Sequence, residues 1–85
     1  MLRYDIEDGL QEYLNDKLDI GVKTVMASQN DISYAYTLVI VTRENYYELV
    51  YHNKTVYNMQ LEKQSDSDIV VTIKEFMKDI QPIRE

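Results

Sequence analysis

The segment at residues 5–19, DIEDGLQEYLNDKLD, carries carboxylates three or four residues apart. Because an α-helix advances about 100° per residue, this spacing places them within roughly an 80° sector of one helix. The line would extend about 21 Å along the helix axis. We call these residues the acidic row: Asp5, Asp8, Glu12, Asp16 and Asp19. Such a line of negative charge could bind a basic protein surface that otherwise holds nucleic-acid phosphates.

Other residue types in the chain give little support for catalysis or for metal binding. His52 is the single histidine, there is no cysteine, and Gly9 and Gly21 are too few to form a glycine-rich phosphate loop. Residues 66–68, DSD, lack the turn glycine and the distal glutamate of a calcium loop, so helix capping explains them better. We therefore predict a protein that is not an enzyme and that uses no cofactor or metal ion.

The size and charge of the chain limit its partners. With 85 residues, 45% of them hydrophobic, residues 1–85 are expected to form a single domain. The formal net charge of −6 disfavours direct binding to nucleic acid or to an anionic membrane. No apolar run resembles a signal peptide or a membrane span, and cysteine is absent, so we expect a cytoplasmic protein.

Hydrophobic periodicity predicts a helix at each end of the chain. Residues 5–18 repeat apolar side chains at helical spacing, with Asp5 as a candidate cap and Gly21 as a candidate stop. The apolar stripe of this helix lies nearly opposite the acidic row. After the capping cluster SDSD, apolar residues from Ile69 to Ile80 predict a second helix, which Pro82 would end.

Between the helices, the pattern predicts four strands at residues 22–29, 34–42, 46–52 and 55–62. The second strand is apolar on both alternations, which indicates a strand with a neighbour on each side. Asn53 tolerates positive φ in the turn before the fourth strand, whose alternation places Tyr57, Met59 and Leu61 on one face. The predicted fold is α+β, in the order α-β-β-β-β-α. It has a four-stranded antiparallel meander with two helices packed on one face.

Six tyrosines lie on the predicted strands, and they allow two interpretations. They are either core residues and cross-strand pairs or part of a binding face, since tyrosine is common at interfaces. The tyrosines are Tyr34, Tyr36, Tyr46, Tyr47, Tyr51 and Tyr57. For the second interpretation, the candidate sheet interface consists of Tyr46, Glu48 and Val50, and the expected partner is a second copy of the chain.

In length, negative charge, lack of cysteine and predicted architecture, the chain resembles the small acidic inhibitors of phages and mobile elements, including anti-CRISPR proteins and other DNA mimics. The acidic row carries most of this resemblance. The resemblance implies an inhibitor that blocks the basic groove of a nucleic-acid-binding protein.

The leading hypothesis is therefore a non-enzymatic protein-binding module whose acidic row contacts a basic partner, with Asp66 and Asp68 extending the surface. Two alternatives stay open. One is a structural or assembly protein that dimerises through the tyrosine-rich sheet face or a free strand edge. The other is an immunity protein or antitoxin that uses the same acidic surface. The simplest explanation is that the acidic row serves only solubility, and the three binding hypotheses are tested against it.

Overall fold

The computed structural model describes residues 3–80, with side chains from residue 5 onward. It confirms the predicted α+β order and the four-stranded antiparallel sheet, whose spatial order is β1-β2-β3-β4. The central strand β2 has neighbours on both sides, as its continuous apolar run predicts. The elements are α1 (Arg3–Lys17), β1 (Thr24–Gln29), β2 (Tyr36–Val41), β3 (Tyr46–His52), β4 (Thr55–Tyr57) and α2 (Asp68–Met77).

Both helices pack on one face of the sheet, and the core lies between the two layers. Antiparallel register aligns Ala27, Leu38 and Leu49 across three strands, so their side chains share this face. The remaining core residues come from both helices and from alternate strand positions. They are Ile6, Leu10, Leu14, Ile69, Val70, Ile73 and Met77 of the helices, and Val22, Val25, Tyr36, Ile40, Tyr51 and Val56 of the sheet side.

The helix ends differ from those predicted. Because α1 begins at Arg3, Asp5 lies in its first turn and is not its cap. The helix ends at Lys17, before Gly21, so Asp19 lies beyond it. The predicted cap cluster of α2 is confirmed, since the Ser67 side chain accepts a hydrogen bond from the backbone of Val70. That helix ends at Met77, and Pro82, its predicted terminator, lies outside the described residues.

The fourth strand is shorter than its alternation predicted and ends at Tyr57. The side-chain oxygen of Asn58 accepts hydrogen bonds from the backbone N–H groups of Gln60 and Glu62, both at 2.9 Å, which closes a turn. Met59 and Leu61 are therefore exposed turn residues and do not continue a strand face. Strands β1 and β2 are also shorter than predicted, whereas β3 has the predicted bounds.

A two-residue turn connects β3 and β4. Asn53 and Lys54 both have positive φ, 52° and 61°, which is the combination of a type I′ hairpin turn. The predicted positive φ at Asn53 is confirmed. This turn matches the twist of the two strands and so sets the pairing of His52 with Thr55.

Candidate functional site

Three sides of α1 are used inside the fold, and the first two hold the helix against the core and against α2. Ile6, Leu10 and Leu14 are fully buried against the sheet. The neighbouring side faces α2, where the ring of Tyr13 lies 5.6 Å from that of Phe76. A Cβ at Gly9 would lie 2.9 Å from Cζ of Phe76, so a larger residue at this position would displace the Phe76 ring.

The third side of α1 covers the exposed edge of β1. The backbone N–H of Ala27, which points away from β2, donates a 2.8 Å hydrogen bond to Oε2 of Glu7. The Asn15 side chain makes two hydrogen bonds with the backbone of Val22, just before β1. The N–H of Val22 donates to Oδ1 of Asn15 (2.8 Å), and Nδ2 of Asn15 donates to the Val22 carbonyl (3.1 Å). Gln11 donates to the same carbonyl at 3.4 Å. These side chains occupy backbone hydrogen-bonding groups at the β1 edge, so a further strand could pair there only by displacing them.

Sequence reasoning missed this third side. Glu7, Gln11 and Asn15 follow one another at a spacing of four residues, so they form a second polar line next to the acidic row. The spacing could have been read from the sequence. What the sequence did not show is that a strand edge lies opposite this line and needs hydrogen-bond partners.

The fourth side of α1 faces solvent, and four members of the acidic row lie on it. We call these residues the acidic face of α1: Asp5, Asp8, Glu12 and Asp16, all of them exposed. The side chains of Asp8, Glu12 and Asp16 form no hydrogen bond or ion pair with any residue from 5 to 80. Lys17 is the nearest cation in sequence, and its Nζ lies over the ring of Tyr13, 5.5 Å from the centroid.

The acidic face carries a cost in helix stability. Asp8, Glu12 and Asp16 are four residues apart, and each such pair of like charges destabilises a helix by about 0.2–0.5 kcal/mol. Asp16 also lies in the last turn, where the helix dipole disfavours an anion. The four carboxylates extend over about 16 Å, or roughly one charge per 5 Å. Duplex DNA carries about one charge per 1.7 Å, so this face has about a third of its linear charge density.

The structure places the other predicted contact residues away from this face. Asp19, beyond the helix, forms a 3.1 Å ion pair with Arg43, which also donates to the Asp19 carbonyl. Asp66 pairs with Lys74 at 3.2 Å, in a cleft that Lys54 and Lys78 also line. Asp68 is an exposed residue of the first turn of α2, where its charge suits the helix dipole. Four residues of the acidic row therefore lie on α1, and Asp19 does not.

Five of the six tyrosines predicted on strands divide between the two faces of the sheet, whereas Tyr34 lies outside the strands. Tyr36 and Tyr51 are buried in the core, and burial raises the pKa of Tyr51, with a smaller contribution from the charge of Asp79. Tyr47 is partly buried on the same face. The opposite face holds Tyr46 and Tyr57, and Tyr34 lies in the β1–β2 loop with a φ of 61°.

In the candidate sheet interface, Tyr46 and Glu48 are exposed on the face away from the helices. Val50 shares that face but is only 9% exposed. It lines a cleft of about 270 Å³ together with His52, Tyr57 and Leu61.

Metal ligation and membrane insertion are two further functions that the arrangement of side chains could indicate. Among the described residues, no three histidine, aspartate or glutamate side chains lie close enough to hold a metal ion. Neither helix in this part of the chain has the length and apolar character needed to cross a membrane. Comparisons of the chain with protein-family models, with curated proteins and with solved structures found no match.

Replacing Asn15 by aspartate is expected to lower the free energy of unfolding by about 1 kcal/mol. The substitution keeps the shape but removes the Nδ2 donor that binds the Val22 carbonyl, and it adds an anion near the helix C-terminus. Urea denaturation measures the change. The matched control is Asp16→Asn, the reverse change at the next position, whose side chain makes no hydrogen bond with a described residue; removing this anion from the last turn should leave the free energy of unfolding unchanged or raise it by up to about 1 kcal/mol. Equal stabilities for Asn15→Asp and the native protein would contradict the assigned role.

Proposed function

We propose that this protein is a non-catalytic binding module whose acidic face of α1 occupies a basic surface on another protein. In the specific form of the proposal, that partner binds nucleic acid, and the module inhibits it by covering its phosphate-binding groove. This is the function class expected from the acidic row and from the resemblance to small acidic inhibitors.

One observation carries the proposal. Asp8, Glu12 and Asp16 form no hydrogen bond or ion pair with any described residue, although side chains on the other three sides of α1 pack against or bind the rest of the fold. Their mutual repulsion disfavours the helix, so the fold gains nothing from their position. Residues that weaken local stability without serving the fold are expected at functional surfaces.

The sign and spacing of the charges support a protein partner. A net charge of −6 repels nucleic acid, whereas lysine and arginine side chains in a groove would be attracted to the acidic face. The helix holds neighbouring carboxylates about 6 Å apart along its axis. A rigid row loses little conformational entropy on binding, which favours a preorganised contact.

The test uses the partner captured by the immobilised protein from the cells in which it is expressed. We expect this partner to bind duplex nucleic acid and to release the module when a duplex is added in excess. Binding should weaken by at least about tenfold between 50 and 200 mM salt, because screening acts strongly on exposed charges. A stable ternary complex of module, partner and duplex would contradict the groove-blocking form of the proposal.

A further inference from the structure

The sheet face that points away from both helices has no covering layer in the described structure. We call it the open sheet face. Register aligns Met26 with Val39 and Glu48 across three strands, and Val41 with Tyr46 beside them. The other members of the open sheet face follow from the same alternation: Thr24, Ser28, Thr37, Val50, His52, Thr55 and Tyr57.

Large apolar side chains on the open sheet face are exposed. Met26 is 51% exposed and Tyr46 is 60% exposed, while Val39 and Val41 lie half-buried between them. At the β4 side of this face, Leu61 is 68% exposed and has a φ of 62°, an uncommon backbone conformation for a bulky residue. A second layer over this face would bury these side chains.

The charge of the open sheet face is low although the chain is strongly acidic. Of its twelve residues, Glu48 alone carries a formal charge, and it lies next to Tyr46 on the same strand. The pKa of Tyr46 is raised mainly by desolvation, with smaller contributions from the charge of Glu48 and from hydrogen bonding to it. The acidic face of α1 belongs to the helix layer on the other side of the sheet. Two copies can therefore meet at the open sheet face with little repulsion.

The edges of the sheet are less available than this face. The β1 edge is covered by side chains of α1. Beside β4, the chain turns back and Lys63 forms an isolated antiparallel β-bridge with Tyr57. The N–H of Gln64 donates to the Val56 carbonyl at 2.9 Å. Strand addition at either edge would displace these contacts, whereas face-to-face packing leaves them intact.

We propose that a second copy of this chain covers the open sheet face, so that two sheets pack face to face about a twofold axis. Two sheets pack about 10 Å apart, a distance that valine, threonine and methionine side chains can fill. The outcome is a four-layer dimer, helix–sheet–sheet–helix. Both acidic faces point outward in it, so each dimer presents two binding surfaces.

The area of the open sheet face matches a weak, reversible dimer. The strands have six, six, seven and three residues, and at about 3.3 Å per residue and about 4.8 Å between strands they give a flat face of roughly 350 Å² per copy. The flat area of the pair, roughly 700 Å², lies below the roughly 1,200 Å² at the lower end of specific, stable interfaces, so any dimer should be weak. We therefore expect a dissociation constant of about tens of micromolar, without an obligate dimer.

Sedimentation velocity from about 5 to 500 μM tests this proposal. The expected result is a reversible shift from the 10.1 kDa chain to twice that mass. The double variant Met26→Ser/Tyr46→Ser should raise the dissociation constant at least about tenfold, because it removes two large apolar contacts. Both positions are exposed in the single chain, so the melting temperature should change little.

The matched control is Val71→Ser, which removes an exposed apolar side chain from α2, outside the open sheet face. It should leave dimerisation unchanged. A protein that stays monomeric at 500 μM would overturn the proposal and would leave the face to solvent or to a different partner. Dimers that the double variant leaves unaffected, or that Val71→Ser abolishes, would also overturn it. If the double variant loses dimerisation but still binds a partner through the acidic face, the dimer and the proposed function are independent of each other.

Discussion

Replacing Asp8, Glu12 and Asp16 together by lysine is expected to weaken partner binding by at least about a hundredfold. The substitutions reverse the sign of three of the four charges on the acidic face, so attraction to a basic surface becomes repulsion. The fold should survive because all three side chains are exposed and none forms a hydrogen bond or ion pair with a described residue. A cation in place of Asp16, in the last turn, should favour the helix dipole by about 0.3–1 kcal/mol, whereas Asp8 lies beyond the first turn and its replacement should affect the dipole little.

A matched variant separates the position of these charges from their number. Asp31, Glu44 and Glu75 are exposed acidic residues outside α1, and reversing them to lysine changes the net charge by the same amount. We expect this variant to retain most of the affinity. Calorimetric or fluorescence titration gives the dissociation constants, and thermal melts verify the fold. If the two triple variants bind equally well, the acidic face is a solubility feature and the proposed function is wrong.

Replacing Leu38 by alanine is expected to destabilise the domain by about 2–5 kcal/mol. Leu38 is fully buried at the centre of the central strand, between Ala27 and Leu49 of the neighbouring strands. The small Ala27 beside it cannot fill the cavity, and both helices cover this face. At about 0.05–0.15 kcal/mol per residue, 85 residues provide only about 4–13 kcal/mol of total stability. The variant should therefore populate unfolded chains at moderate temperature.

Leu61→Ala makes the same chemical change at a mostly exposed position and is the control for Leu38→Ala. Its cost should stay below about 1 kcal/mol, since little apolar surface is lost from contact. Urea denaturation followed by circular dichroism measures both variants, and the slope of the transition shows whether two-state behaviour is kept. Similar losses at the two positions would mean that the core is not centred on β2.

Most of the secondary structure follows from the sequence because local patterns specify it. Apolar residues at helical spacing predicted α1 and α2, and the SDSD cluster indicated where α2 begins, as the bond from Val70 to Ser67 confirms. The unbroken apolar run of β2 indicated that it lies between two strands. Asn53 marked the hairpin turn, because few other residues tolerate its positive φ.

Several element ends could not be predicted, because hydrogen bonds from side chains to the backbone compete with the repeating pattern there. The alternation of residues 55–62 favours a strand, but the Asn58 side chain binds the backbone at Gln60 and Glu62 and closes a turn there. Similarly, Asn15 binds Val22, seven residues along the chain, so the segment after Lys17 turns back towards β1. A strand or helix pattern alone contains no information about these competing hydrogen bonds.

The sequence by itself determined that α1 carries carboxylates along one side, because the helical repeat alone sets that arrangement. Only the tertiary structure decided which of the predicted contact residues form ion pairs. Asp19 falls beyond the helix and pairs with Arg43, and Asp66 pairs with Lys74 across the start of α2. The neighbouring line of Glu7 and Asn15 is held at the β1 edge because a strand there has unpaired backbone groups. Asp8, Glu12 and Asp16 face solvent because packing on the sheet, on β1 and on α2 takes up every other side of the helix.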